Sequence, residues 1–201
     1  MHRKNPLIYH YDALIDENDD PTQDLPPLRE YMDQWDGEPF LSALALSPDK
    51  CVLEIGVGTG RLALRTAPRC KKFTGIDLSP KTIERAEKSL ASFQPCLICA
   101  DFLTFPFPMT FDIIYSSLTF FHIRKKKKAL KKIFRLLSAG GRFVLSVEKE
   151  QRKKLVCGSR EIRLYPDSEQ KIQKNLLQAG FSLQNKFETP FAIVFVAQKP
   201  C

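Results

Sequence analysis

The sequence predicts an α/β fold: a doubly wound, mostly parallel sheet closed by an antiparallel C-terminal hairpin. Three observations carry that expectation. Between residues 51 and 148, apolar segments of strand length alternate with segments of helical periodicity, the pattern of a parallel sheet buried on both faces. Each return to a parallel neighbour calls for a right-handed crossover, which places helices on both sides. Near the end of the chain, Phe181–Phe187 and Phe191–Ala197 are joined by a short connection near Thr189-Pro190. So short a link forces an antiparallel hairpin, because a parallel crossover needs a dozen residues or more.

The elements follow in order. Residues 1–24 read as irregular, with Pro6, Pro21 and an Asp/Asn cluster. Leu28, Tyr31, Met32 and Trp35 share one face of a short helix that Gly37 stops. Pro39 suits the first turn of a second helix, through about Leu46. Cys51–Ile55 is a strand, followed by a glycine-rich turn and a helix over Arg61–Ala67. A second strand, Phe73–Ile76, ends at Asp77. Ser79 and Pro80 form an N-cap and first-turn pair for a helix through Ser92. Cys96–Ala100 reads as a buried third strand and Phe111–Ser116 as a fourth. Arg124–Leu137 is a helix with an apolar stripe of Ala129, Leu130, Ile133, Phe134, Leu136 and Leu137, ended by Gly140-Gly141. Arg142–Glu148 is the fifth strand. Leu155–Leu164 reads as an inserted strand or hairpin, and Ser168–Ala179 as a helix closed by Gly180.

The chain has 201 residues, the size of one domain, and is 43% apolar, enough for one substantial core. No apolar run approaches the roughly 18 residues of a membrane span. His2, Arg3 and Lys4 are followed by acidic residues and not by an apolar stretch, so no secretory signal is expected. Six scattered cysteines suit a reducing, cytoplasmic setting. Cys96 and Cys99 form a lone C-x-x-C inside a strand, without the second pair or histidines that a zinc site needs, and no metal site is expected. Residues 1–50 carry 4 Lys+Arg against 11 Asp+Glu, whereas residues 51–201 carry 27 against 12. An acidic N-terminal segment of net charge −7 thus faces a basic remainder of +15, against which it can lie. Any basic surface left over attracts anions or nucleic acid.

The chemistry gathers at Glu54-Ile55-Gly56-Val57-Gly58-Thr59-Gly60, between a strand and a helix. Glycines there let the backbone approach a ligand and offer it amide groups. Asp77 lies 21 residues after Gly56, at the end of the next strand, where a carboxylate accepts hydrogen bonds from ribose hydroxyls. The spacing is G-x-G-x-G and not the G-x-G-x-x-G of nicotinamide dehydrogenases.

With these residues in place, the chain resembles the class I S-adenosylmethionine-dependent methyltransferases of the small-molecule, ubiquinone-biosynthesis-like type. The resemblance covers residues 50–150 and rests on V-L-E-I-G-V-G-T-G-R-L, G-I-D-L-S, A-D-F, F-D-I-I-Y-S-S-L-T-F-F-H-I and L-L-S-A-G-G-R-F. It implies a Rossmann-like sheet of seven strands with the last antiparallel, an N-terminal lid or cap over residues 1–48, and a methyltransferase domain over 49–201. It implies S-adenosylmethionine as cofactor, with S-adenosylhomocysteine as product. Residue by residue, it implies that Glu54, Gly56, Gly58 and Gly60 hold the methionine part, that Asp77 binds the ribose, and that Leu78 packs on the adenine. Asp101 and Phe102 meet the adenine amine and ring, and Ser116 and Leu118 stand beside the sulfonium.

Methyl transfer is an in-line displacement for which the protein aligns the nucleophile and excludes water. His122, just past the fourth strand, is the candidate general base for a hydroxyl or ammonium acceptor. Tyr9, Tyr11, Tyr31 and Trp35 are candidate lid residues, and Tyr165 faces the same cleft; aromatics suit a site that holds a cation. For Tyr31 and Trp35, packing of their helix onto the domain explains the same residues. The run Arg124-Lys125-Lys126-Lys127-Lys128 opens a helix and reads first as a solvated face. The leading expectation is an enzyme that methylates a small-molecule acceptor. The rivals are an RNA methyltransferase guided by the basic face and a catalytically silent cofactor-binding protein.

Overall fold

The computed structural model describes residues 5–201; His2, Arg3 and Lys4 lie outside them. Its core is a seven-stranded sheet. Strands β1 (Cys51–Ile55), β2 (Lys72–Asp77), β3 (Cys96–Cys99), β4 (Phe111–Ser116), β5 (Leu137–Glu148), β8 (Ser182–Glu188) and β9 (Ala192–Gln198) stand in the order β3-β2-β1-β4-β5-β9-β8. The pairs from β3 to β5 are parallel. β9 runs antiparallel to β5 and β8 antiparallel to β9, as the short link at Thr189-Pro190 requires. The order reverses between β1 and β4, the kind of switch point that opens a crevice at the strands' C-terminal ends.

Side chains alternate across the sheet and divide the core in two. Val52, Ile113, Tyr115 and Val144 face helices α3 (Glu38–Ala43), α4 (Ala63–Thr66) and α5 (Pro80–Ser89). Leu53, Ile114, Phe143 and Leu145 face α6 (Lys126–Leu136) and α7 (Glu169–Ala179). The expected start of α5 holds: the Ser79 hydroxyl caps the Thr82 amide, with Pro80 in the first turn. α7 closes on Gly180 at φ +105, where a Cβ would stand 2.9 Å from the Phe134 ring.

Four expectations are corrected. The stretch 1–24 is not irregular throughout, since Pro6–Asp16 forms helix α1, started by the Asn5 side chain and Pro6. The Asp/Asn cluster falls after it, in the turn where Asn18 takes φ +60. The third strand is not buried: β3 lies at the sheet edge, with Cys96 and Cys99 exposed. α6 ends at Leu136, before the glycines, because Leu137 turns extended and pairs with Phe111 at the head of a long, irregular β5. The helix over 61–67 shrinks to Ala63–Thr66, followed by a 3₁₀ turn. The inserted hairpin forms as a separate two-stranded sheet, β6 (Lys154–Cys157) and β7 (Arg160–Arg163), turning at Gly158. None of the six cysteines is in a disulfide. Among the described residues, no helix is long and apolar enough to cross a membrane.

The N-terminal segment, here the cap, packs on the rest of the chain. α1 and α2 (Pro26–Asp36) lie against the sheet domain through pairs of charges. Asp12 accepts from the Ser79 hydroxyl at 2.7 Å, and Asp16 pairs with Lys81. Glu17 takes both arms of the Arg160 guanidinium. Asp33 and Asp36 pair with Arg65 and Arg61. The acidic segment thus does lie against the basic remainder.

Candidate active site

A cavity of about 1020 Å³ opens over the C-terminal ends of β1, β2 and β4. Its floor is the glycine turn. Gly56 at φ +80 and Gly58 at φ +57 adopt backbone conformations that glycine alone takes without strain. At Gly58 a Cβ would meet nothing within 4 Å, so the backbone is open to a ligand. At Gly56 it would collide with Thr119, at 2.0 Å from Oγ1, so this glycine lets the β4 loop close onto the β1 loop. The Thr59 hydroxyl, on the same turn, is buried without a hydrogen-bond partner.

Asp77 ends β2 with its carboxylate held by backbone donors. The Gly58 amide donates to Oδ2 at 3.1 Å and the Ser79 amide to Oδ1 at 3.0 Å. Burial raises its pKa, against the pull of these amides and that of Leu78. Glu54 is 3% exposed and accepts from the Tyr115 hydroxyl at 2.8 Å. Burial, partly offset by Tyr115 and the Arg61 charge, pushes its pKa up to about 8. A cation brought beside Glu54 favours its ionised form. Leu78, Asp101 and Phe102 line the wall beside Asp77. Asp101 is exposed, accepting from the Leu103 amide at 2.8 Å, and Phe102 is buried. Leu118 lines the opposite wall at φ +51, a left-handed conformation that costs a leucine on the order of 1 kcal/mol.

His122 and Tyr11 meet across the cavity. The Tyr11 hydroxyl on α1 and His122 Nε2 share a hydrogen bond of 2.7 Å, while His122 Nδ1 is buried without a partner. Burial first, then the charges of His10 and Lys126, lowers the His122 pKa to about 4. The imidazole is therefore neutral throughout the physiological range. Burial and nearby carboxylates raise the Tyr11 pKa, so its hydroxyl keeps its proton. Trp35 and Tyr165 also line the cavity.

The remaining expected site residues lie elsewhere. Tyr9 is 56% exposed, outside the cavity. Tyr31 stands behind the wall, packed edge-on against Trp35 at 5.3 Å and near Phe191. Gly60 faces Leu90, and the Ser116 hydroxyl is spent on the Ile55 carbonyl at 3.0 Å. Both belong to the packing beneath the cavity.

Sequence reading missed several residues. Asp36 is fully buried and accepts from Arg61 and from the Ser117 hydroxyl, each at 2.6 Å, which ties α2 to the glycine turn and to the β4 loop. These residues are 25 and 81 positions from Asp36 in sequence, so no local pattern announces them. The β6–β7 hairpin adds Ile162 and Arg163 to the rim. Lys126, inside a run read as solvated, is buried; it pairs with Asp167 at 3.5 Å and donates to the Ile123 and Tyr165 carbonyls.

A family model described as "Methyltransferase domain" matches residues 53–145. An uncharacterized methyltransferase of Anoxybacillus flavithermus is 29% identical over 83% of this chain and 81% of its own length. One from Geobacillus kaustophilus is 35% identical over 58% of this chain, a match that spans about half (56%) of that relative. The crystal structure of the N-methyltransferase NodS from Bradyrhizobium japonicum, in complex with S-adenosylhomocysteine, superposes with a TM-score of 0.68 at 21% identity, covering 95% of this chain and 98% of that one. Residues 53–145 thus match the methyltransferase domain family, and the fold is that of solved S-adenosylmethionine-dependent methyltransferases.

Proposed function

We propose that the protein transfers the methyl group of S-adenosylmethionine to a compact small-molecule acceptor held beneath the α1 cap. The carrying observation is the single cavity that joins the glycine turn and Asp77 to the Tyr11–His122 pair. Its volume of about 1020 Å³ stands at the top of the roughly 300–1,000 Å³ typical of ligand sites, which suits a cofactor with a compact acceptor beside it. The residues fit the cofactor: open backbone at Gly58, an unpartnered hydroxyl at Thr59, and a carboxyl at Glu54 able to ionise beside a cation. Glu54, Gly56 and Gly58 would hold its amino-acid part, Asp77 its ribose hydroxyls, and Leu78, Asp101 and Phe102 its adenine. The bound cofactor supplies an activated methyl group, so the chain itself needs only to align and desolvate the acceptor. His122 is the base through Tyr11: the Tyr11 hydroxyl takes the acceptor's proton as its own passes to Nε2, to which it is hydrogen-bonded. α1 shields the cavity through Leu7, Ile8, Leu14 and Ile15.

Calorimetry with S-adenosylhomocysteine tests the reading. Asp77→Ala is expected to weaken binding by about 1–3 kcal/mol, the range for lost hydrogen bonds to a charged group. Unchanged affinity would remove Asp77 from the cofactor site. His122→Ala is expected to retain cofactor affinity and lose turnover.

A further inference from the structure

Cations and anions are distributed differently in this molecule. Acids of the cap neutralise Arg61, Arg65, Lys81, Arg85 and Arg160, and the hairpin and β8 form pairs of their own. Exposed cations without an ion pair also occur elsewhere, at Arg69, Lys71 and Lys72 for instance, but α6 and its approach hold the largest group of them. Arg124, Lys125, Lys127, Lys128, Lys131 and Arg135 are all exposed, and none makes an ion pair among the described residues. Lys127, Lys131 and Arg135 repeat every four residues, about 6 Å per step along one helix face, with Lys128 beside them. The opposite face, Ala129, Leu130 and Ile133, is buried. Lys127, Lys128, Lys131 and Arg135 line a second cavity of about 510 Å³, with Phe134 and Ala179 at its floor. The first turn of α6 holds no acidic residue, so its lysines oppose the helix dipole. Folding alone gives no reason to keep that arrangement. Arg124 and Lys125 also belong to the rim of the cofactor cavity, so the basic track starts at the active site and runs outward for about 16 Å.

We propose that this α6 face is a docking surface for a nucleic-acid strand, held through its phosphodiester backbone. An evenly spaced row of unpaired cations complements a repeating anion, and Lys127, Lys128, Lys131 and Arg135 lie outside the cofactor cavity, so docking on them does not compete with cofactor. A membrane surface fits less well. None of the large exposed apolar residues sits on α6, and its packed neighbour α7 offers Leu177 alone, so this face has little to insert into lipid. The Phe134 ring is already engaged by Phe181 at 5.1 Å and Lys199 at 5.2 Å. It offers no free stacking platform, so the docking is read as independent of base sequence.

The test is fluorescence anisotropy with a labelled single-stranded oligouridine and the full chain saturated with S-adenosylhomocysteine. Saturable binding is expected at low salt, with a log–log salt slope of about −3 for four neutralised phosphates. The variant Lys127→Glu/Lys128→Glu/Lys131→Glu/Arg135→Glu should bind about tenfold or more weakly, with unchanged affinity for S-adenosylhomocysteine in calorimetry. If that variant loses cofactor binding, the milder Lys127→Ala/Lys131→Ala pair is measured and should also weaken binding to the strand. The proposal is overturned by no binding of the natural chain at low salt, or by equal binding of a variant whose cofactor affinity is intact. Tighter capture by vesicles containing phosphatidylserine than by the oligonucleotide also overturns it, and reassigns the face to a membrane. Each of these outcomes leaves the methyl-transfer reading standing, because the cofactor titration is independent of the strand.

Discussion

The N-terminal cap and the α6 face are both strongly charged, and only one of them is neutralised within the fold. In the cap, acids sit opposite cations of the sheet domain, and one pair, Asp36 with Arg61, is taken out of water altogether. On α6, Lys127, Lys128, Lys131 and Arg135 face solvent without ion-pair partners among the described residues, whereas Lys126 is buried against Asp167. The comparison teaches that charge in this chain has two uses. Charge consumed internally holds the cap over the cavity; charge left open is available to something outside the molecule.

The largest expected effect tests the consumed charge. Asp36→Ala leaves the Arg61 guanidinium and the Ser117 hydroxyl without their acceptor, and should cost about 3–5 kcal/mol in chemical denaturation. A loss below about 1 kcal/mol would place this pair with ordinary surface ion pairs. Next comes the neutral anchor of the cap, His122 against Tyr11. Its pKa is 6.5 unfolded and about 4 folded, so the unfolded state binds more protons between those values. Stability is therefore full above pH 6.5 and falls as pH drops toward 4, by up to about 3 kcal/mol from this group. His122→Gln should flatten that part of the profile, which urea titrations at pH 7 and pH 4.5 would measure. A smaller effect of opposite sign is expected on α6. Lys127→Glu relieves the clash with the helix dipole and should raise stability by a few tenths of a kcal/mol. A loss there would show that the lysine serves the fold after all. The smallest shift belongs to the exposed latches. Asp16→Asn with Glu17→Gln should leave the thermal midpoint nearly unchanged while speeding cofactor release in stopped-flow fluorescence, since exposed pairs contribute little but hold α1 down.

Much of the architecture was legible because it is written locally. β1, β2 and β4 are short, near-continuous apolar runs, and the glycine turn and Asp77 follow directly from their strand ends. α1 was legible too, in a signal that went unused. Asn5-Pro6 is a cap and first-turn pair, and Leu7, Ile8, Tyr11, Leu14 and Ile15 share one helical face. The nearby prolines and Asp/Asn cluster obscured it. The edge position of β3 was hidden because an apolar tetrapeptide looks alike in the centre and at the margin of a sheet. Gly60 and Ser116 sit inside a cofactor motif, yet one packs on Leu90 and the other on the Ile55 carbonyl; motif membership does not say which way an atom points.

The sequence by itself determined the class of fold and the glycine-turn end of the cavity, because apolar strand runs, helix caps and a glycine-rich bend act over a few neighbouring residues. Only the tertiary structure decided which charges cancel and which titratable groups meet. Asp36 with Arg61 and Ser117, Glu17 with Arg160, and Tyr11 with His122 are pairs brought together from up to 143 positions apart. Tyr11 and His122 keep their neutral forms because burial disfavours the charged ones, which no local pattern of residues encodes.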